Sequence, residues 1–190
     1  MYKISNEKEI FKTIFSIEEA QITQENRQFS RVRIKKENAV AVLVYNRDSN
    51  KIILTRQLRY PIASQHPEPL VEILAGKIDG NDSPVETALR ETEEEIGYKL
   101  KPENLEFLYT CFPTPGYSSE LFHLYYAQVS NADKINGGGG LESENEFIEV
   151  VEMDKEKFFA QILSGELKDG KTYLAALFVM LHNKIKSEKN

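Results

Sequence analysis

Apolar positions along the chain come in two patterns, short β-branched blocks and longer stripes at helical spacing. Ala39 to Tyr45 is a continuous apolar block, and after the polar turn Asn46-Arg47-Asp48-Ser49-Asn50 a second one runs from Lys51 to Arg56. The pair predicts a hairpin with a buried first strand that opens the main domain. Ahead of it, Ile10 to Lys36 mixes short apolar clusters around a polar turn at Thr23 to Arg27 and predicts two or three weaker strands. Further strands are expected at Leu105 to Phe112, Leu121 to Val129 and Phe147 to Met153, separated by loops at Pro113-Thr114-Pro115-Gly116 and at Gly137 to Gly140. Three helices stand out. Ser83 is placed as an N-cap, with Pro84 at the first helical position and Glu86 at capping-box spacing, and Gly97 ends that helix. Val85, Ala88, Leu89, Thr92 and Ile96 form its core-facing stripe. Asp154 is expected to cap a second helix reaching about Leu163. Asp169 precedes a third to about Lys186, with Leu174, Leu177, Phe178, Leu181 and Ile185 on one side. Strands first, with helices packed on them, imply an α+β fold or an α/β/α sandwich.

Composition narrows the class. The 190 residues suit one ordinary domain, or one domain with a small appendage, and 41% hydrophobic with 28% charged residues is a soluble globular balance. No apolar run approaches the roughly 20 residues of a membrane span, and Met1 to Ala20 lacks a signal peptide's apolar block, so a cytoplasmic location without membrane contact is expected. The single cysteine, Cys111, agrees with a reducing compartment. A net charge of -6 argues against nucleic acid as a partner, because phosphate backbones are held by clustered Lys and Arg. An anionic substrate would need something else to bring it in.

Candidate chemistry lies on the first helix. Glu91, Glu94 and Glu95 stand at i, i+3 and i+4, so their carboxylates emerge on one face, away from the apolar stripe. A solvated acidic face is the bland reading of such a cluster. Arg90 is adjacent, however, and Ala75-Gly76-Lys77-Ile78-Asp79-Gly80 is a glycine-punctuated loop able to bring carbonyls against that face. An all-oxygen donor set selects a hard divalent cation, Mg2+ or Mn2+.

The segment Gly76 to Tyr98 resembles the Nudix box, G-x5-E-x7-R-E-U-x-E-E-x-G-U. Gly76, Arg90, Glu91, Glu94, Glu95 and Gly97 match at the required spacing; Asp82 replaces a Glu, and Thr92 replaces a bulky aliphatic. The resemblance implies an α/β Nudix fold, an α/β/α sandwich with a mixed sheet and a small N-terminal β region. Residues 1–37 would form that region and help build a homodimer, 38–186 the hydrolase domain, and 187–190 a tail. It also implies that Glu91 and Glu95 ligate Mg2+ (or Mn2+), that Glu94 assists, that the Ala75 carbonyl completes the shell, and that Arg90 orients the glutamates. Similarity to the nucleoside-diphosphate-sugar branch, typified by ADP-ribose pyrophosphatase, extends from about Arg31 onward. It is carried by Gln57-Leu58-Arg59, Val71 to Gly76, Pro115-Gly116 with Glu120, Glu142 to Val150, and Asp169-Gly170-Lys171-Thr172.

That likeness implies diphosphate hydrolysis, with ADP-ribose as the first substrate: it would give AMP and ribose 5-phosphate. Pro115 lies slightly further past the box than in ADP-ribose enzymes, and Gly137 to Gly140 is similar to relatives acting on GDP-mannose or UDP-glucose, which remain the alternative. By resemblance Glu144, on a loop following a flexible tetraglycine, is the general base, with Glu120 next in line, and Glu146 is an additional ligand once substrate is bound. Arg59 and Arg31 are candidates for clamping phosphates, and Glu72 for substrate binding. A different class, a regulator that senses ADP-ribose without cleaving it, would be expected to lose box carboxylates and carry a DNA-binding extension. Gly165 to Thr172 matches the phosphate-loop expression G-x4-G-K-[ST], but it follows a helix rather than a strand and is set aside. His66, His123 and His182 lack ligand spacing, and Cys111 has no catalytic partner.

Overall fold

The computed structural model describes residues 1–141, 143 and 146–188, with side chains through residue 182. The chain opens with a three-stranded antiparallel sheet, β1 (Tyr2–Lys12), β2 (Ser16–Gln24) and β3 (Arg27–Lys35). β1 begins well before the apolar clusters that announce this region, because its polar and charged residues sit on an exposed ribbon where alternation has nothing to bury. Glu18, on β2, accepts from Arg33 Nε at 2.8 Å and Lys35 Nζ at 3.0 Å. Those two cations, Arg33 foremost, hold its carboxyl down at about 2.

The main sheet holds seven strands. β4 (Ala39–Asn46), β5 (Lys51–Gln57), β6 (Leu70–Glu72), β7 (Leu74–Lys77), β8 (Leu105–Cys111), β9 (Phe122–Val129) and β10 (Glu149–Asp154) follow the order β10-β5-β4-β9-β8, with β6 on β5 and β7 on β4. The sheet is mixed, since β4 runs parallel to β9 and antiparallel to β5 and β7. The anticipated hairpin pairs only at its turn, Val44 to Asn46 with Lys51 to Ile53, because the first half of β4 is given to β7 from Ala39 to Val42. Beyond the turn β4 and β5 therefore part, β5 pairing with β6 and β4 with β7. Strands β6 and β7 are too short for their alternation to show in the sequence.

Helices α1 (Pro84–Ile96), α2 (Lys155–Ser164) and α3 (Gly170–Glu188) cover the two faces. Val40, Val42 and Val44 join Ala88 and Ile96 of α1 in one core. Ala41, Leu43, Ile52 and Leu54 join Phe158 and Ile162 of α2 and Ala175, Ala176 and Val179 of α3 in the other. Burial on both faces is why β4 reads as one unbroken apolar run. Two details of the helices go beyond the expectations. On α3 the small residues Ala175 and Ala176 face the sheet, allowing close approach, while Leu174, Leu177 and Leu181 turn outward at 40–61% exposure. Asp154 occupies the N-cap of α2, but its side chain accepts no capping bond there. No described helix is long and apolar enough to cross a membrane.

Candidate active site

Local sequence builds α1 as a rigid platform. Ser83 Oγ accepts the Glu86 N–H at 3.2 Å, Glu86 Oε2 accepts the Ser83 N–H at 2.8 Å, and Gly97 closes the helix in the left-handed region at φ 76°. Thr92, where the box pattern has an aliphatic residue, is fully buried and donates its hydroxyl to the Ala88 carbonyl at 2.6 Å, so no polar atom is stranded. Beside this stripe Glu91 and Glu95 are only 7% and 2% exposed. Arg90 bonds both Glu91 Oε1 at 2.8 Å and Glu94 Oε2 at 2.7 Å. Across from them lies β7, where the Ala75 N–H donates to Glu95 Oε2 at 3.3 Å. Gly76 packs so tightly on the helix that a Cβ there would stand 1.9 Å from Glu91 Cδ.

Burial dominates the electrostatics of this face. It pushes the Glu91 carboxyl up to about 7, with Arg90 pulling down and Glu94 and Glu146 pushing further up. It pushes the Glu95 carboxyl up to about 8, reinforced by Glu91 and Glu146. Two desolvated carboxyls, Glu91 with an arginine it shares with Glu94 and Glu95 with one backbone N–H, demand either protons or a cation. Oxygen-only donors match Mg2+ or Mn2+, so the residues fit the cation that the resemblance implies. Among the described residues no three acidic, His or Cys side chains already converge on a single point. Like-charged groups turn instead to the donors at hand: Glu94 to Arg90, and Glu146 Oε2 to the Leu141 N–H at 3.3 Å.

A cleft of about 610 Å3 opens past Ala75 and Gly76. Its floor is an ionic network in which Glu72, 2% exposed, takes Arg59 Nε on one oxygen at 2.7 Å and Lys171 Nζ on the other. Lys171 also reaches Asp169 Oδ1 at 3.1 Å, and Lys36 pairs with Glu120 at 2.6 Å on the facing wall. Ile14 and Phe15, from the β1–β2 turn, line the mouth. Four basic side chains, Lys36, Arg59, Lys77 and Lys171, meet four acidic ones, Glu37, Glu72, Glu120 and Asp169, so the walls carry no net charge.

The structure thus gathers Ala75, Arg90, Glu91, Glu94 and Glu95 on one face, places Arg59 and Glu72 in the adjoining cleft, and seats Glu146 on the loop that is bonded to the end of α1. Arg31 is elsewhere. It stacks over Phe29 at 4.3 Å on the N-terminal sheet and does not reach the cleft of its own chain. Glu144, the expected base, and Glu142 lie outside the described residues. Lys171 and Asp169 are what sequence reasoning missed. Their signal was the run Asp169 to Thr172, which forms the first turn of α3: Thr172 N–H donates to Asp169 Oδ2 at 2.9 Å and Thr172 Oγ1 accepts the Ile73 N–H at 2.9 Å. The phosphate-loop reading fails as expected, because α2 and its cap Gly165 precede this run.

Residues 35–176 match the NUDIX domain family, and the chain belongs to that family of hydrolases. It is 35% identical over 139 residues to a GDP-mannose pyrophosphatase of Citrobacter koseri, covering 72% of this chain and 70% of that one. A protein named methanol dehydrogenase activator, from Bacillus methanolicus, is 33% identical over 153 residues, covering 80% and 77%. In fold, the chain matches a crystal structure of an ADP compounds hydrolase with a TM-score of 0.77 at 20% identity, over 97% of this chain and 95% of that one. The α/β/α sandwich and mixed sheet expected from the box are therefore present.

Proposed function

We propose that this protein hydrolyses the diphosphate bond of a nucleoside diphosphate sugar with a divalent cation, Mg2+ or Mn2+. The observation that carries the reading is the pair of desolvated glutamates, Glu91 and Glu95, set against the wall of a cleft without net positive charge. A diphosphate beside those carboxylates is repelled by several kcal/mol at an effective dielectric near ~20 unless cations intervene. Glu91 and Glu95 would hold the cation, with Glu94 assisting, the Ala75 carbonyl completing the shell and Glu146 joining when substrate is bound. A cation there supplies charge neutralisation on the phosphoryl oxygens and a lowered pKa for bound water. Arg90 fixes the glutamates, and Glu72 holds Arg59 and Lys171 side by side to meet phosphate oxygens. Glu144 takes the proton from the attacking water, with Glu120 as the alternative base.

GDP-mannose is the first substrate to test, since relatives from Citrobacter koseri and, at 34% identity, Yersinia enterocolitica carry the name GDP-mannose pyrophosphatase. The products would be GMP and mannose 1-phosphate. ADP-ribose is the second reading, supported by the likeness of the box and its flanks to ADP-ribose pyrophosphatases. Tyr2, Ile4, Ile10 and Phe11 expose apolar surface on the N-terminal sheet, which supports a homodimer built there. A single cysteine and an acidic chain favour a cytoplasmic enzyme without nucleic-acid or membrane partners.

Paired variants test the roles. Glu144→Gln should keep Mg2+ and substrate affinity while turnover falls roughly 10²–10⁴-fold, the range for loss of a general base. Glu146→Gln should instead need more Mg2+ at saturating substrate. Rescue of Glu144→Gln but not Glu146→Gln by excess Mg2+ would reverse the two roles, and unchanged turnover in both would put the base elsewhere.

A further inference from the structure

The last turn of a helix leaves carbonyls without intrahelical partners. At the end of α1 the run Gly137 to Gly140 satisfies two of them. Gly139 N–H donates to the Glu95 carbonyl at 2.9 Å and Gly140 N–H to the Glu94 carbonyl at 3.1 Å. Just upstream, the N–H groups of Ile135 and Asn136 donate to the Gly97 carbonyl at 2.8 and 3.3 Å. Downstream, Ile148 N–H donates to the Gly139 carbonyl at 3.2 Å, Glu146 N–H to the Leu141 carbonyl at 3.2 Å, and Leu141 N–H to Glu146 Oε2 at 3.3 Å. The tetraglycine expected to act as a flexible spacer is instead bonded to the backbone of two box glutamates.

Three of the four glycines are required by this arrangement. Gly138, Gly139 and Gly140 have φ of 66°, 116° and 77°, which L side chains rarely adopt. A Cβ on Gly138 would lie 2.4 Å from the Glu95 carbonyl oxygen. On Gly140 it would lie 2.8 Å from both Cβ and Oε2 of Glu146. Gly137 meets nothing within 4 Å.

We infer that Gly138, Gly139 and Gly140 are positioning residues, a backbone clasp that holds Glu146 beside Glu91 and Glu95. The inference rests on the proposed role of Glu146 as a ligand and adds what keeps it in place. Without a cation, three carboxylates repel, and Glu146 on a free linker would swing into solvent. It is instead tied back, its Oε2 accepting the Leu141 N–H at 3.3 Å and its own N–H donating to the Leu141 carbonyl at 3.2 Å, directly beside Gly140, which is bonded to the Glu94 carbonyl. A cation then meets Glu146 already fixed near the end of α1, which lowers the ordering cost of binding.

The test compares Gly137→Ala, Gly138→Ala and Gly140→Ala, each alone and combined with Glu146→Gln. Gly137→Ala should match the parent protein. Gly140→Ala should lower kcat and raise the Mg2+ concentration for half-maximal activity by about 10- to 100-fold, the usual effect of losing an outer support of a metal ligand, with KM little changed. On the Glu146→Gln background the same substitution should add less than about twofold, because two changes acting through one group do not multiply. Full multiplication of the two penalties, or a Gly140→Ala protein with the parent's Mg2+ requirement, would overturn the clasp. If Gly138→Ala does not fold, Gly140→Ala still decides. If the parent protein hydrolyses no nucleoside diphosphate sugar, the proposed function fails while the clasp remains testable by Mn2+ calorimetry and amide exchange. Slow exchange at Gly139 and Gly140 with weaker Mn2+ binding in Gly140→Ala supports it; fast exchange or unchanged Mn2+ binding overturns it.

Discussion

Replacing Gly76 with alanine asks why β7 comes so close to the carboxylate helix. The new Cβ would stand 1.9 Å from Cδ, 2.0 Å from Oε1 and 2.1 Å from Cγ of Glu91, where carbon atoms normally keep ~3.5–4.0 Å. Gly76 is paired with Val40 in the ladder between β7 and β4, so the strand has little freedom to retreat, and Glu91 must turn out. Doing so gives up its 2.8 Å contact with Arg90 and its buried place. Overpacking of this kind costs about 1–3 kcal/mol. For a chain of this length each kcal/mol lowers the melting temperature by about 2–4 °C, so a drop of about 2–12 °C is expected. Function should suffer more than stability. With Glu91 displaced from the ligand set, turnover should fall at least about 100-fold, since the cation it holds carries several kcal/mol of charge stabilisation. Gly170→Ala is the control, because a Cβ there meets nothing within 4 Å. Melting curves with and without Mg2+, together with turnover against Mg2+ concentration, read both effects. A Gly76→Ala protein with the parent's turnover and Mg2+ dependence would refute the reasoning, showing that the Glu91 carboxylate has no need to stand where it does.

Thr172→Val removes the acceptor for the buried Ile73 N–H and should cost about 1–3 kcal/mol, read as a lower urea midpoint at unchanged slope; an unchanged midpoint would mean water replaces the hydroxyl. The pH dependence follows from Glu91 and Glu95, whose carboxyls are raised to about 7 and about 8, chiefly by burial. A carboxyl raised on folding contributes its stability below the unfolded value and loses it as pH climbs through the folded one. The metal-free protein should therefore lose stability from about pH 5 to about pH 8. Mg2+, taking the place of the protons, should raise the melting temperature more at pH 8 than at pH 6, and an equal rise at both would contradict the assignment.

The box helix was legible in full from the sequence because every signal on it is local: the Ser83–Glu86 cap, the stripe through Ala88 and Ile96, the closing Gly97 and the carboxylates at i, i+3 and i+4. The long strands β4, β5, β8 and β9 were legible for the same reason. What escaped depends on contacts distant in the chain. Lys171 becomes part of the cleft only when α3 docks its first turn on Ile73, 99 positions earlier, and no spacing rule links the two. The leucines dominate the sequence pattern of α3, whereas closeness to the sheet favours Ala175 and Ala176, a choice that only the docked helix shows. The tetraglycine suggested freedom by composition, yet the donors on Gly139 and Gly140 are consumed by the end of α1 and that on Gly138 by the Asn136 side chain.

The central claim, cation-dependent hydrolysis of a nucleoside diphosphate sugar at the Glu91–Glu95 face, is tested most directly by a product assay. The protein is incubated with GDP-mannose, UDP-glucose and ADP-ribose in Mg2+, and the nucleotide and sugar products are identified. The expected result is a nucleoside monophosphate and a sugar phosphate, GMP and mannose 1-phosphate first among them, formed only with a divalent cation and reduced at least about 100-fold in a folded Glu95→Gln protein. No cleavage of any of the three in Mg2+ or Mn2+, or cleavage that survives chelation and Glu95→Gln, would contradict it.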